Sequence, residues 1–188
     1  MKDKLVKQMG KYGRKLVSYG FVYSHFGNIS VRLGNKFIIT RSGCMLDEIT
    51  PRELVTLDVK KTSPLDARGS YETIVHREIY RQTKAQAIIH IHSPFAVVES
   101  IATKASDIIP ITHEGRCVLE KIPLVKGPGG SKELALNASK ALKTSKGAII
   151  REHGSIAVGK TLEEAYVYLC AIEQSAKVKY FTDLLKKK

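Results

Sequence analysis

Two histidines stand one residue apart in an otherwise apolar run, His90 and His92 in "AIIHIHSP", residues 87–94. On a strand, residues two apart face the same side, so the two imidazoles would stand side by side about 6 to 7 Å apart. That is a two-point platform for a divalent cation, because neutral imidazole is a common metal ligand. The alternative is a buried strand that satisfies each polar ring by its own hydrogen bond. A catalytic zinc ion takes three protein ligands and keeps one position open, so metal binding requires a third ligand from elsewhere in the chain. His153, beside Gly154 at a turn between apolar runs in "GAIIREHGSIAVG", is the natural candidate, and His25, His76 and His113 compete with it.

Glu72 is the second group with chemistry to offer. It follows the small-residue loop "DARGSY" and falls in the first turn of an expected helix. A carboxylate there is favoured by the helix dipole alone. Beside a Lewis-acidic metal it would also serve as a general base. Ser70 and the backbone N–H groups around Tyr71 point at the same helix end, a ready site for an anion. "FGNIS", residues 26–30, and "RSG", residues 41–43, add two further turns rich in small donors, and the three together could converge on a phosphate. Taken singly, such turns are ordinary.

These groups need a frame, and the pattern supplies one. Leu5, Met9, Tyr12 and Leu16 recur at helical spacing and open the chain with an amphipathic helix that ends near Gly20. "NISVRL" and "KFIIT", separated by "GN", form a hairpin. "ITPREL" starts a short helix with Thr50 as N-cap, Pro51 in its first position and Glu53 closing a capping box, before the strand "LVTLDV". Ser70 is placed to cap a helix over "SYETIVHREIYRQTK", "AIIHIH" is a buried strand, and Pro94 starts the next helix. Asp107 to Val125 reads as one or two strands, and Gly127 to Gly130 as a break before the helix "SKELALNASKALK". Strand, turn and strand follow in "GAIIREHGSIAVG", and a long closing helix is capped by Thr161 and Glu164 with Leu162, Ala165, Leu169 and Ile172 on one face. Interleaved helices and hairpins predict a single α/β domain over 1–188, three layers α/β/α around a mostly antiparallel sheet.

Composition narrows the class. Hydrophobic residues make up 43% and charged residues 26% of the 188, a globular balance, and no apolar run approaches the ~18 residues of a membrane span. The charged start lacks the apolar core of a signal peptide, so a cytoplasmic protein without a membrane partner is expected. Cys44, Cys117 and Cys170 are odd in number and widely spaced, which predicts reduced thiols. The net charge of +13 raises the question of nucleic acid, but the basic residues are scattered, cluster only in the closing "KKK", and have no interleaved aromatics to stack bases. A solvated basic surface that attracts small anionic substrates is expected instead, with no nucleic-acid partner.

The ordered set "GNIS", "TRSG", "GSYE", "IIHIHS" and "EHGSIAVG" resembles the class II aldolase/adducin family, in particular its L-fuculose-1-phosphate aldolase branch, from the first helix to the last. The resemblance implies that His90, His92 and His153 bind one zinc ion per subunit, and that Glu72 is the acid/base residue and a further ligand before substrate arrives. It aligns Gly27, Asn28, Ser42, Gly43, Ser70 and Tyr71 with the residues that hold the substrate phosphate, and gives His76 a structural role. It implies a homotetramer with active sites at subunit boundaries, and cleavage of a ketose 1-phosphate to dihydroxyacetone phosphate and an aldehyde. Two departures stand out. Tyr71 replaces a serine of the pattern, and "PITHEG" puts Glu114, beside His113, where a neighbouring subunit's tyrosine usually protonates the aldehyde oxygen. Ribulose-phosphate 4-epimerases and a methylthioribulose-1-phosphate dehydratase are the rivals within the fold, the epimerases usually carrying Asp in place of Glu72. A non-catalytic adducin-type binding module is the rival of another class, and it has no need of the histidine triad.

Overall fold

The computed structural model describes residues 2–186; Lys187 and Lys188 of the closing basic run lie outside them. Helix α1 (Lys2–Ser18) buries Met9, Tyr12 and Leu16 along its apolar stripe. Strands β1 (Asn28–Leu33) and β2 (Lys36–Thr40) form the expected hairpin, with Gly34 at a φ of 62° in the turn, a conformation that side chains with a Cβ resist. The chain continues through β3 (Leu54–Asp58), α2 (Thr73–Gln82), β4 (Ala87–Ile91), α3 (Pro94–Ala102), β5 (Asp107–Ile108) and α4 (His113–Leu119). It closes through β6 (Ile122–Val125), α5 (Lys132–Ala141), β7 (Gly147–Ile150), β8 (Gly154–Gly159) and α6 (Leu162–Leu185).

Among the described residues eight strands form one sheet in the order β3-β2-β1-β4-β8-β7-β6-β5, antiparallel at every ladder except β6 with β7. The period of two divides the central strands between two helical layers. Ile88, Ile150, Ile156 and Val158 pack with Val75 and Ile79 of α2 and with Leu134 and Ala138 of α5. Ala87, Ile89, Ile91 and Ala157 face Met9 and Leu16 of α1 and Leu162, Ala165 and Leu169 of α6. A smaller cluster joins Ala96 of α3, Leu119 of α4, Ile122 and Ile172. Each fully buried isoleucine contributes roughly 1.5–3 kcal/mol, and Ile88, Ile89 and Ile91 anchor the strand that leads to the histidine pair. The expected three-layer α/β/α arrangement with a mostly antiparallel sheet is what the chain adopts. No helix among the described residues is long and apolar enough to cross a membrane, and the three cysteines are unpaired.

Three local expectations are corrected. The "ITPREL" helix is only a 3-10 turn, Pro51–Glu53: Thr50 makes no capping bond, and Glu53 is held by Arg41, Nε to Oε2 at 2.6 Å, where the chain enters β3. Ser70 does not cap α2; its Oγ accepts from the Glu72 amide at 3.2 Å, and Glu72 itself takes the N-cap position. Between β5 and β6 stands α4, a helix the alternating pattern hid. Its cap is Thr112, whose Oγ1 accepts from the Gly115 amide at 3.2 Å, and Gly115 packs where a Cβ would come within 2.7 Å of Pro110 and Ser175.

Candidate metal centre

β4 delivers His90 to the middle of the sheet, paired with Asn28 of β1 on one side and Ile156 of β8 on the other. The ring is fully buried, and its Nδ1 donates to the Ser155 carbonyl at 3.0 Å. That bond selects the tautomer in which Nε2 carries a lone pair, and Nε2 is buried without a protein partner. His92 lies one residue past the end of β4, where the chain leaves strand geometry, and its ring centroid is 5.0 Å from that of His90. His153 sits in the turn between β7 and β8. Gly154 makes its approach possible, because a Cβ there would lie 2.2 Å from the Ile91 carbonyl oxygen and 3.0 Å from the His92 Cα. The His153 ring thereby comes to 4.8 Å from His90 and 4.5 Å from His92, centroid to centroid. One ligand atom from each of the three rings lies within 4.8 Å of the others.

Burial keeps these rings neutral. It holds His90 well below its ordinary value, helped by His153 and His92; it pushes His92 down to about 4, with His153 adding to the effect; and it lowers His153. Three converging neutral imidazoles, one with its lone pair orphaned, fit a divalent cation with an open position. The competing histidines stand elsewhere. His25 is exposed and stacked on Phe26, His113 is exposed near Cys117, and His76 is buried with Nδ1 at 2.7 Å from Ser30 Oγ.

Glu72 is 4% exposed. Its Oε1 accepts from the Gly130 amide at 2.7 Å, while Oε2 is buried without a partner. Burial raises its pKa and the Gly130 N–H opposes that rise. The carboxylate and His153 face each other across Gly129, where a Cβ would stand 3.1 Å from Glu72 Oε1 and 3.3 Å from His153 Cε1. Gly130, at φ 64°, lies under the Tyr71 ring, which would come within 2.6 Å of a Cβ there. The turn at 127–130 is therefore part of the site, a role its sequence signalled only as a break. Phe26, 5.3 Å from His92 between ring centroids, is a second neighbour that the sequence did not single out.

The small-donor turns gather in two groups. Gly27, at φ 107°, and Asn28 lie against His90: a Cβ on Gly27 would be 2.8 Å from the His90 carbonyl oxygen, and Asn28 Oδ1 is buried without a partner. Ser42, next to Gly43, donates to the Gly69 carbonyl from both its amide and Oγ at 3.3 Å, which docks that turn on the Gly69–Glu72 loop with Ser70 and Tyr71. Glu114 is in neither group; it is exposed in the first turn of α4.

The model of the class II aldolase and adducin N-terminal domain matches residues 7–180. The chain belongs to that family. Another similar protein is an L-fuculose phosphate aldolase of Methanococcus maripaludis, 32% identical over 168 residues, which are 88% of this chain and 91% of that one. The crystal structure of L-fuculose-1-phosphate aldolase from Thermus thermophilus aligns with a TM-score of 0.92 at 30% identity, covering 98% of this chain and 97% of that chain. A probable bifunctional methylthioribose-1-phosphate isomerase/methylthioribulose-1-phosphate dehydratase of Nocardia farcinica is 33% identical over 127 residues, 66% of this chain but 22% of that protein's length. The class II aldolase resemblance read from the ordered motifs holds over nearly the whole chain.

Proposed function

We propose that the protein is a zinc-dependent class II aldolase that reversibly cleaves a ketose 1-phosphate, L-fuculose 1-phosphate or a close relative, to dihydroxyacetone phosphate and an aldehyde such as lactaldehyde. The observation that carries this reading is the convergence of three neutral imidazoles beside a buried carboxylate with one free oxygen. His90, His92 and His153 would hold one zinc ion per subunit, and Glu72 is the fourth donor before substrate arrives. When bound, the metal supplies Lewis acidity toward the carbonyl and adjacent hydroxyl oxygens of a ketose.

The chain's own residues do the rest. Glu72, its Oε1 fixed by Gly130, moves a proton through Oε2 at the hydroxyl-bearing carbon next to the carbonyl, removing it in condensation and returning it in cleavage. In the metal-free site burial raises the pKa of this carboxyl, against the Gly130 N–H. Gly27, Asn28, Gly43, Ser70 and Tyr71 would offer N–H and hydroxyl donors to the phosphate, joined by Ser42 once its hydroxyl turns from the Gly69 carbonyl, and the net charge of +13 favours the arrival of an anion. Gripping the phosphate away from the reacting bond keeps the carbon in register with Glu72. Glu114, or His113 beside it, would serve the aldehyde oxygen from a neighbouring subunit of a homotetramer whose sites lie at subunit boundaries.

The similarity to the Nocardia protein supports a dehydratase of a methylthiopentulose phosphate as the second reading. One incubation separates them: with L-fuculose 1-phosphate and related ketose 1-phosphates, an aldolase releases dihydroxyacetone phosphate, an epimerase yields an isomer, and a dehydratase yields a product short by one water. Absence of dihydroxyacetone phosphate from every substrate overturns the aldolase reading.

A further inference from the structure

At the start of α3, the helix that follows the histidine pair, the fold buries another carboxylate. Glu173, on α6, is 2% exposed, and both its oxygens are occupied by backbone amides: Oε1 accepts from Phe95 N–H and Oε2 from Ala96 N–H, each at 2.9 Å. These are first-turn amides of α3, the helix that follows His92 after Ser93 alone. Ser93 holds the N-cap position but makes no capping bond to its own helix. Its Oγ bonds Ser155 Oγ at 2.7 Å instead, and Ser155 is the residue whose carbonyl accepts from His90 Nδ1. The contacts thus run from Glu173 through the start of α3 and Ser93 to Ser155, and they reach both members of the His90–His92 pair.

A local Ser, Thr or Asp side chain ordinarily serves the start of a helix at small cost. Here a carboxylate comes from a helix far along the chain and must be stripped of water to do it, a penalty of several kcal/mol before its hydrogen bonds offset it. What the remote cap adds is an anchor: it ties the chain leaving His92 to α6, which also packs against Ala87, Ile89, Ile91 and Ala157 of β4 and β8. We propose that Glu173 is a positioning residue of the metal centre, which fixes His92 through the amides of α3 while Ser93 and Ser155 couple that anchor to His90. The inference rests on the reading of the triad as a metal centre, and not on which sugar phosphate is cleaved.

Zinc affinity, measured by competition with a chelator, and the visible spectrum of the cobalt-loaded protein test it. Glu173→Gln sets an amide NH2 against one of the two N–H donors and loosens the start of α3. Zinc affinity is expected to fall about 10- to 100-fold, the range for losing an outer partner of a metal ligand, with altered cobalt band intensities. Ser93→Ala leaves both amide bonds to Glu173 in place and cuts the hydroxyl's links to Ser155 and to the carboxylate, with an expected loss of about tenfold. If Glu173→Gln does not fold, Ser93→Ala decides alone. Lower thermal stability with unchanged zinc affinity and an unchanged cobalt spectrum overturns the proposal. Failure of the wild-type protein to bind zinc or cobalt would instead defeat the metal-centre reading, and it is seen before any variant is compared.

Discussion

Replacing Glu72 by Gln removes the proposed base and leaves its frame. The Gln carbonyl oxygen can still accept the Gly130 N–H that Oε1 accepts at 2.7 Å, and the side chain, 4% exposed, keeps its volume against Gly129. The loss is confined to Oε2, because a carboxamide nitrogen donates and cannot accept a proton. A positioned acid/base group is worth about 10²- to 10⁴-fold in rate, or about 2.7–5.4 kcal/mol. The kcat for cleavage of L-fuculose 1-phosphate should fall by that factor while zinc content stays stoichiometric on the three imidazoles. Stability should move the other way. Burial raises the folded-state pKa of Glu72 above its ordinary 4.5, so ionising it costs the metal-free fold stability as pH rises through and above that range. The metal-free Gln variant is therefore expected to unfold at higher urea than wild type at pH 8, with the gap closing as pH falls below 4.5. A kcat within fivefold of wild type would refute the assignment of the base. A variant less stable than wild type at pH 8 would refute the electrostatic argument.

Two further outcomes follow from the same geometry. Gly130→Ala forces a Cβ onto a backbone at φ 64° and to 2.6 Å from the exposed Tyr71 ring, disturbing the N–H that holds Glu72. Turnover should drop about 10- to 100-fold, the worth of a charge-assisted hydrogen bond of roughly 1.5–3 kcal/mol, and adding Tyr71→Ser should restore thermal stability more than activity. His76 is pushed down to about 3 by burial, against an ordinary 6.5, so its neutral form contributes stability that is full above pH 6.5 and is lost as pH falls toward 3. Urea midpoints of the metal-free protein should decline from pH 7 to pH 5, and His76→Gln should reduce that slope.

Part of this candidate site was legible because its residues sit on regular elements or directly at their ends. His90 sits on β4 as the apolar run predicts, although His92 falls just beyond the strand's end, and the strands "NISVRL" and "KFIIT" begin and end where the alternation says. Long-range meetings were not legible. Nothing local ties Gly130 to Glu72, or Glu173 to the amides of Phe95 and Ala96; these contacts join segments that only the sheet order brings together. Helix α4 escaped because a seven-residue helix with a buried glycine lacks a full amphipathic period, and tertiary packing at Gly115 decides it. Ser70 had the chemistry of a cap, yet the amide it satisfies belongs to Glu72, and that holds the carboxylate at the helix entrance rather than inside the helix.

The central claim is that the three imidazoles with metal, and Glu72 beside them, move a proton at a carbon next to a carbonyl. Solvent deuterium exchange into dihydroxyacetone phosphate, with no aldehyde present, measures that step alone. Zinc-loaded protein should exchange a single hydrogen of the hydroxymethyl carbon, chelator-stripped protein should not, and added zinc should restore the exchange. Equal exchange with and without metal, or none from protein with stoichiometric zinc, would contradict the account.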